Sequence, residues 1–442
     1  MKLTSRLLLP LGLAAVMFGA ARASAADPAG SEHPLIVHEW GTFTSFSGSD
    51  GIQLDYRPLT VSDLPEFVYS DFTLSGLSKR RVFARQRMET PVTYFYSDVE
   101  RDVRVSVAFP RGRLTEFYPP PLTQRLAAAN DGLPQAIEQV DWGNVHIIPQ
   151  SSLTTHVADA KVADRLNRHI AAGLVPWMDD DNPYYRARET DSALLFVRRE
   201  ADQNAPFSQA AFDFHGDHFE KFLFYRGTGN FTLPVTVQAL GNDRVRITNL
   251  SPGDLHGAIV VHNDGQQLRM KFAGDIPGNG GVEAALPAAA EITGDPAQDL
   301  DAKLVEVLTA EGLYEKEAKA MVNTWRHSWY NEPGMRVLFL VPQVITDTVL
   351  PLTVEPKPEQ TIRVLVARME FLTPEDEQHL LTLIRKSACE GAEQRTALME
   401  DLQRRGRLAE PAIQHVAKST DDPMVQSEAE RVRRVLLGQE AG

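Results

Sequence analysis

Between about residues 34 and 290, hydrophobic positions return at every second residue. The stretch RDVRVSVAF sets Val103, Val105, Val107 and Phe109 on one side and Arg104, Ser106 and Ala108 on the other. DRVRITN repeats the arrangement, with Val245 and Ile247 against Arg244, Arg246 and Thr248. A period of two puts alternate side chains on opposite faces of an extended chain. These segments are therefore predicted as strands with one wet face, the habit of antiparallel sheet. Further strands are predicted over 91–97, 112–118, 192–199, 219–226, 233–240, 257–263 and 267–273, several divided by short turns such as LGNDRV and HNDGQQ. One helix interrupts over 158–172, where Val162, Leu166 and Ile170 recur every four residues. Many short strands at this spacing point to a sandwich or barrel.

A Gly-, Pro- and Ala-rich stretch over 274–296 ends this pattern. Residues 301–330 then read as a helix, a break at Gly312 and a second helix. In the second, Ala318, Met321, Val322, Trp325 and Trp329 form one apolar stripe suited to core packing. Two strands follow, 335–342 and 361–371. The first is apolar throughout, which predicts a central strand covered on both faces, with the helical pair packed against its sheet. From Thr373 onward every pattern is helical. Thr373 reads as an N-cap and Pro374 as the first helical residue, while Glu375 and Asp376 suit the positive end of the helix. Leu380, Leu381, Ile384 and Ala388 make its apolar face. Gly406 and Asp422–Pro423 separate three further short helices, and 404–437 is similar to about one to one and a half HEAT-type units, too few for an independent solenoid: a cap or partner-binding appendage, or else a plain helical bundle. The expected architecture is α+β. It comprises an antiparallel β-sandwich-like body over 26–290, a helical pair and two strands over 291–371 that complete it, and a C-terminal helical, HEAT-like segment over 372–442.

The N-terminus adds a location. Lys2 and Arg6 precede the apolar run from Leu7 to Ala20, and small residues follow at Ala23 and Ala25. This layout predicts a cleavable secretory signal over 1–25, cut before Ala26. The run has 14 residues, short of the roughly 20 that span a bilayer. The mature chain is expected to lack a transmembrane segment and to be periplasmic or secreted. Loss of Lys2, Arg6 and Arg22 takes the formal charge from −14 to −17, a balance that argues against nucleic-acid binding. The single cysteine, Cys389, excludes an internal disulfide framework and Cys-rich metal sites, and fits a bacterial export route. With 442 residues, 43% hydrophobic and 24% charged, the chain has the size of two or three ordinary globular domains.

Most catalytic signatures fail. HEWGT (38–42) opens like the zincin motif, but Thr42 stands where the second His belongs. There is no G-x-S-x-G elbow, no Lys after GNGG, no third Gly after GTGNF and no C-x-x-C. No cofactor and no metal are expected; the nearest approach to a metal site is His215, Asp217 and His218, with Glu220 beside them, at an unspecific spacing. MDDDNP (178–183) lacks the Gly-punctuated loop and final Glu of an EF-hand. Glu220 and Arg226 lie too far apart along one strand to pair, so each is expected to find a partner on a neighbouring strand. Carboxylates beside aromatic residues, such as Glu39, Glu89, Glu116, Glu189 and Asp191, would suit glycoside chemistry if two came within about 5 to 9.5 Å. The plainer reading is that they satisfy arginines and backbone donors. The candidate catalytic residues are thus His38, Glu39, Glu89, Glu189 and Asp191; the candidate binding residues are Trp40, Arg188, Glu220 and Arg226.

With these segments in view, the chain resembles a group of exported bacterial proteins of unassigned activity. The likeness is carried by VHEWGTFTS (37–45), METPVTYFYS (88–97), TEFYPP (115–120), RETDSALL (188–195), EKFLFYRGTGNF (220–231) and VNTWRHSW (322–329). It implies export and a single architecture over most of 35–330, and brings no ligand, fold or reaction. Two functions stand open. One is a non-enzymatic protein that binds a protein or carbohydrate ligand. The other is a hydrolase of carbohydrate or ester substrates, in which His38, Glu39, Glu89, Glu189 or Glu220 would converge in one pocket.

Overall fold

A computed structural model describes residues 32–57, 64–65, 68–70, 82–126, 136–152, 182–199 and 216–437. The leader, the helix expected over 158–172, most of the MDDDNP loop and His215 lie outside the described residues. In chain order the strands are β1 (Ile36–Ser47), β2 (Gln53–Leu54), β3 (Tyr69–Ser70), β4 (Gln86–Tyr96), β5 (Arg101–Ala108), β6 (Gly112–Tyr118), β7 (Thr123–Leu126), β8 (Ile137–Ile148), β9 (Leu194–Arg199), β10 (Gly216–Glu220), β11 (Leu223–Gly229), β12 (Val235–Gly241), β13 (Arg244–Asn249), β14 (Leu255–Asn263), β15 (Leu268–Ile276), β16 (Gly281–Ala285), β17 (Gly334–Val341), β18 (Leu352–Glu355) and β19 (Gln360–Phe371). The α-helices are α1 (Pro296–Ala310), α2 (Glu315–Arg326), α3 (Gln343–Val349), α4 (Pro374–Glu390), α5 (Ala392–Arg405), α6 (Ala409–Lys418) and α7 (Pro423–Leu436).

The fold is α+β. Among the described residues, 16 strands join one mixed sheet whose spine runs β10-β9-β8-β6-β11-β4-β1-β19-β17-β14-β15; β12, β13 and β16 form a separate three-stranded sheet. The expectation of a purely antiparallel body needs one correction: β1 pairs with β19 in parallel, from Ile36 against Gln360 to Ser47 against Phe371. Its physical reason is burial on both faces. Val37 and Phe43 enter an apolar layer shared with the small sheet through Val235, Val237, Val245 and Ile247. Trp40 enters a second layer with Leu304, Met321, Trp325 and Trp329 from the helical pair and its end. Strands wrapped on both sides do not show the one-wet-face alternation. The segment 219–226 is also broken, at Lys221–Phe222, into β10 and β11.

The stripe Ala318, Met321, Val322, Trp325 and Trp329 is buried as the spacing required, and the apolar strand 335–342 appears as β17, between β14 and β19. Gly312 falls between α1 and α2. α4 starts at a capping box: the Thr373 hydroxyl accepts from the Asp376 N–H at 3.0 Å, and the Asp376 carboxylate accepts from the Thr373 N–H at 3.1 Å. Helices α4 to α7 then close around an apolar cluster of their own, built from Leu380, Ile384, Leu398, Leu402, Ile413 and Val425 among others.

Candidate functional site

The central strands carry far more buried charge than an apolar core tolerates unpaired. β1 turns His38, Trp40, Thr42 and Thr44 to the helical face and Glu39 to the other, by simple alternation. On the helical face the His38 ring donates to Glu317 at 2.6 Å, with both side chains buried. Glu317 comes from the first turn of α2 and also accepts from the Tyr314 N–H at 3.0 Å. The Tyr96 and Tyr314 rings flank the imidazole at 5.2 and 4.6 Å. On the opposite face Glu39 accepts from Tyr225 at 2.6 Å and Thr93 at 3.1 Å, and pairs with Arg363 at 2.6 Å. Arg363 reaches on to half-exposed Asp347 at 2.9 Å. Two residues adjacent in sequence thus belong to separate networks on opposite sides of one sheet.

The remaining sequence candidates are also held apart. Glu220 takes a two-pronged bond from Arg188, at 3.0 and 2.5 Å, and Arg188 lies over the Tyr185 ring at 5.0 Å. Arg226 stands opposite Glu116 in the β11–β6 register and donates to the Tyr184 hydroxyl at 3.4 Å, while Arg188, the partner of Glu220, comes from the 3-10 turn 183–188 rather than from a strand. Glu189 pairs with Arg186 at 2.8 Å and Asp191 with Lys316 at 2.6 Å, both at the surface. The convergence that a carboxylate hydrolase needs is not found among these groups. Trp40, Arg188, Glu220 and Arg226 are all buried, and Arg188 lines a small pocket with Tyr184, Tyr185 and Phe222. Asp217 pairs with Arg198 at 2.8 Å, and His218 sits near the Tyr69 and Tyr118 rings. Among the described residues no three His, Cys, Asp or Glu side chains are grouped to hold a metal ion.

Glu89 belongs to a second polar cluster, where β4, β19 and β17 meet the C-terminal helices. It pairs with Arg87 at 3.2 Å and with Arg407 at 2.9 Å. Burial alone would raise its carboxyl, but Arg87 and Arg407 outweigh it and hold the group below the usual range. Arg368 binds Glu332 at 2.7 Å and Glu370 at 2.9 Å. Arg336 is packed by burial and by neighbouring Arg368 so tightly that its guanidinium is pushed down to about 10; it donates to the carbonyls of Ser328, Trp329, Glu332 and Pro333. Arg407, from the turn Gly406–Leu408, is pushed up: burial opposes this, and Glu89, Glu370 and Glu332 prevail. Arg336, Arg363 and Arg368 escaped the sequence reading of function. Their signal was available, as arginines inside the otherwise apolar strands MRVLFLVP and TIRVLVARMEF.

Beside this cluster lies an open cleft of about 680 Å³. One wall is the β12–β13 turn with the ends of β14 and β17, and presents Asp243, Arg244, His262 and Asp264. The other is α4, α5 and the turn after α5, and presents Asp376, His379, Arg404 and Leu408. Arg269 donates to Asp243 at 2.6 Å and to His262 at 2.7 Å. Burial and Arg269 keep the His262 imidazole below its ordinary value, hence uncharged at neutral pH. His379 and Arg404 remain more than half exposed. In this cleft polar groups from two sides face one volume; Glu189 and Thr190 face Lys316, Lys319 and Asn323 across a second, of about 430 Å³.

No family model matches the chain, and no curated protein matches it. Among solved structures it is similar to the Fcho1 Mu homology domain of Danio rerio with bound Eps15 peptide, at 7% identity over 77% of this chain and 97% of that one, with a TM-score of 0.28. It is also similar to the yeast delta-COP-I mu-homology domain complexed with a Dsl1 WxWxV peptide, at 9% identity over 77% and 96%, with a TM-score of 0.23. At TM-scores this low the likeness supports no argument about this chain.

Proposed function

We propose that the chain is an exported, periplasmic or secreted protein that binds a polar peptide or glycan in this cleft and carries out no reaction of its own. The observation that carries the reading is a contrast. Glu39 and Glu89 are buried in ion pairs, whereas His379 and Arg404, although each also pairs with Asp401, stay more than half exposed and line an open volume with Asp264. Polar groups converging on a roomy concavity are the ordinary make-up of a ligand site. In the same reading the two sheets form a sandwich-like platform, and helices α4 to α7 act as a HEAT-like wall. Export is supported by the leader and by the resemblance to exported bacterial proteins.

The test is a thermal-shift screen of the mature protein against peptide and oligosaccharide panels. A binding ligand is expected to raise the melting temperature, and His379→Ala and Arg404→Ala to weaken it at least tenfold. Turnover of an ester or glycan, with no ligand mapping to the cleft, ends the proposal. Mass spectrometry of material released from the periplasm or medium is expected to find a chain starting at Ala26.

A further inference from the structure

We propose that the cleft is hinged: its helical wall turns on the strand body about Leu372–Thr373, and Arg407 is a releasable pin that holds it closed. This rests on the reading of the cleft as a ligand site, and adds how access to it is governed. Four observations carry it. The apolar cluster of α4 to α7 runs from Leu372 to Val432 and takes no side chain from a strand. Among the described residues the backbone crosses between the two parts once, after β19. Several ties across the junction are polar. Arg407 reaches Glu89 at 2.9 Å and Glu332 at 3.5 Å; the Ser49 N–H donates to Glu377 at 2.7 Å; Arg57 faces Glu410 at 3.8 Å. The wall itself is tied internally, because Arg405 joins Asp376 of α4 to Asp401 of α5 at 3.1 and 2.6 Å. It therefore moves as a unit, with Leu408 of the cleft directly following the pin.

What makes the pin releasable is the arrangement of its partners. If Arg407 withdraws, Glu89 keeps Arg87 at 3.2 Å and Glu332 keeps Arg368 at 2.7 Å. No carboxylate of the body is left buried without a cation, which is the usual heavy cost of removing one member of a buried pair. Arg407 regains water. Polar junctions of this kind permit relative motion, and closure around a ligand is a familiar form of it. A ligand touching both walls favours the closed state by its difference in affinity for the two states.

The experiment uses the full mature chain with Cys389→Ser and spin labels at Arg244→Cys on the strand body and Gln403→Cys, an exposed position of α5. The native protein is expected to give one narrow distance distribution. Arg407→Gln is expected to shift it to longer, broader values while tryptophan fluorescence still reports a folded body. Glu332→Gln, which spares the buried side of the pin, is expected to give a smaller shift of the same sign. An Arg407→Gln distribution as short and narrow as the native one overturns the hinge. Should that variant not fold, an unchanged distance in Glu332→Gln, at low and high salt, overturns it equally. No ligand enters these measurements. A cleft that widens on release but that no peptide or glycan narrows keeps the hinge and removes the ligand reading.

Discussion

Single carboxylates in this sheet are neutralised by arginines far away along the chain, and that distance governs both their energetics and how much of them the sequence discloses. Glu39 is fully buried, and Arg363 lies opposite it after 324 residues. Glu39→Ala leaves Arg363 with half-exposed Asp347 as its remaining carboxylate and takes the acceptor from Tyr225 and Thr93, and urea unfolding is expected to show a loss of about 3 kcal/mol, the low end for a broken buried pair. Glu39→Gln, which can still accept hydrogen bonds, is expected to lose less. The pair His415–Glu377, at 3.0 Å, predicts a pH dependence. Its bond to Glu377 raises His415 above its ordinary 6.5. That stabilisation is complete below the unfolded value and is lost as pH rises through the higher folded value. On Glu377 burial pushes upward, but His415 and the Ser49 amide prevail and lower it, so its share is lost in acid. The native protein minus His415→Gln is thus expected to show a melting-temperature advantage at pH 5.5 to 6.5 that shrinks toward pH 8. The sequence did pick out Glu39, Glu89, Arg188 and Glu220 as polar residues among aromatics. It left the partners of Glu39 and Glu89 open, because Arg363 and Arg407 lie 324 and 318 residues away along the chain. Nothing local to Glu89 announces Arg407.

At the level of elements, legibility followed solvent. β5 and β13 expose alternate residues, and their period of two shows in the letters. β1 and β11 are buried along nearly their whole length, so both faces hold selected residues, and polar ones appear wherever a partner exists. The start of α4 was readable because a capping box is local. Thr373→Ala is expected to cost about 1 kcal/mol, read as a lower urea midpoint of the far-ultraviolet helical signal. A second element test falls on the bulge of β14. Gly257 has φ +65°, and a Cβ there would come within 2.4 Å of Val307 on α1. Gly257→Ala therefore combines backbone strain with overpacking between sheet and helix. It is expected to destabilise by roughly 1 to 3 kcal/mol in thermal or urea unfolding.

At the scale of the whole molecule, the C-terminal helices hold an apolar cluster apart from those of the strand body, so the chain is expected not to unfold in one step. All 5 tryptophans precede residue 330, and none lies in α4 to α7. Tryptophan emission thus reports on residues outside α4 to α7, while ellipticity at 222 nm is weighted toward helices. In urea the ellipticity is expected to begin falling before the emission changes, since the C-terminal helices hold a smaller core. Coincident curves would show that the parts melt together. The α+β class, the helical pair and the C-terminal helices were legible from periodicity, whereas the sheet order was not. The parallel β1–β19 pair joins Ile36 to Gln360, and no local pattern carries information across that separation. The same pair has a consequence for biosynthesis. A ribosome delivers β1 early, and β4 can occupy one of its edges within seconds, but the strand that seals the other edge emerges more than 300 residues later. At about 10 residues per second that is roughly half a minute of exposed amides and carbonyls. A nascent chain of this design needs an escort until its final third has been made.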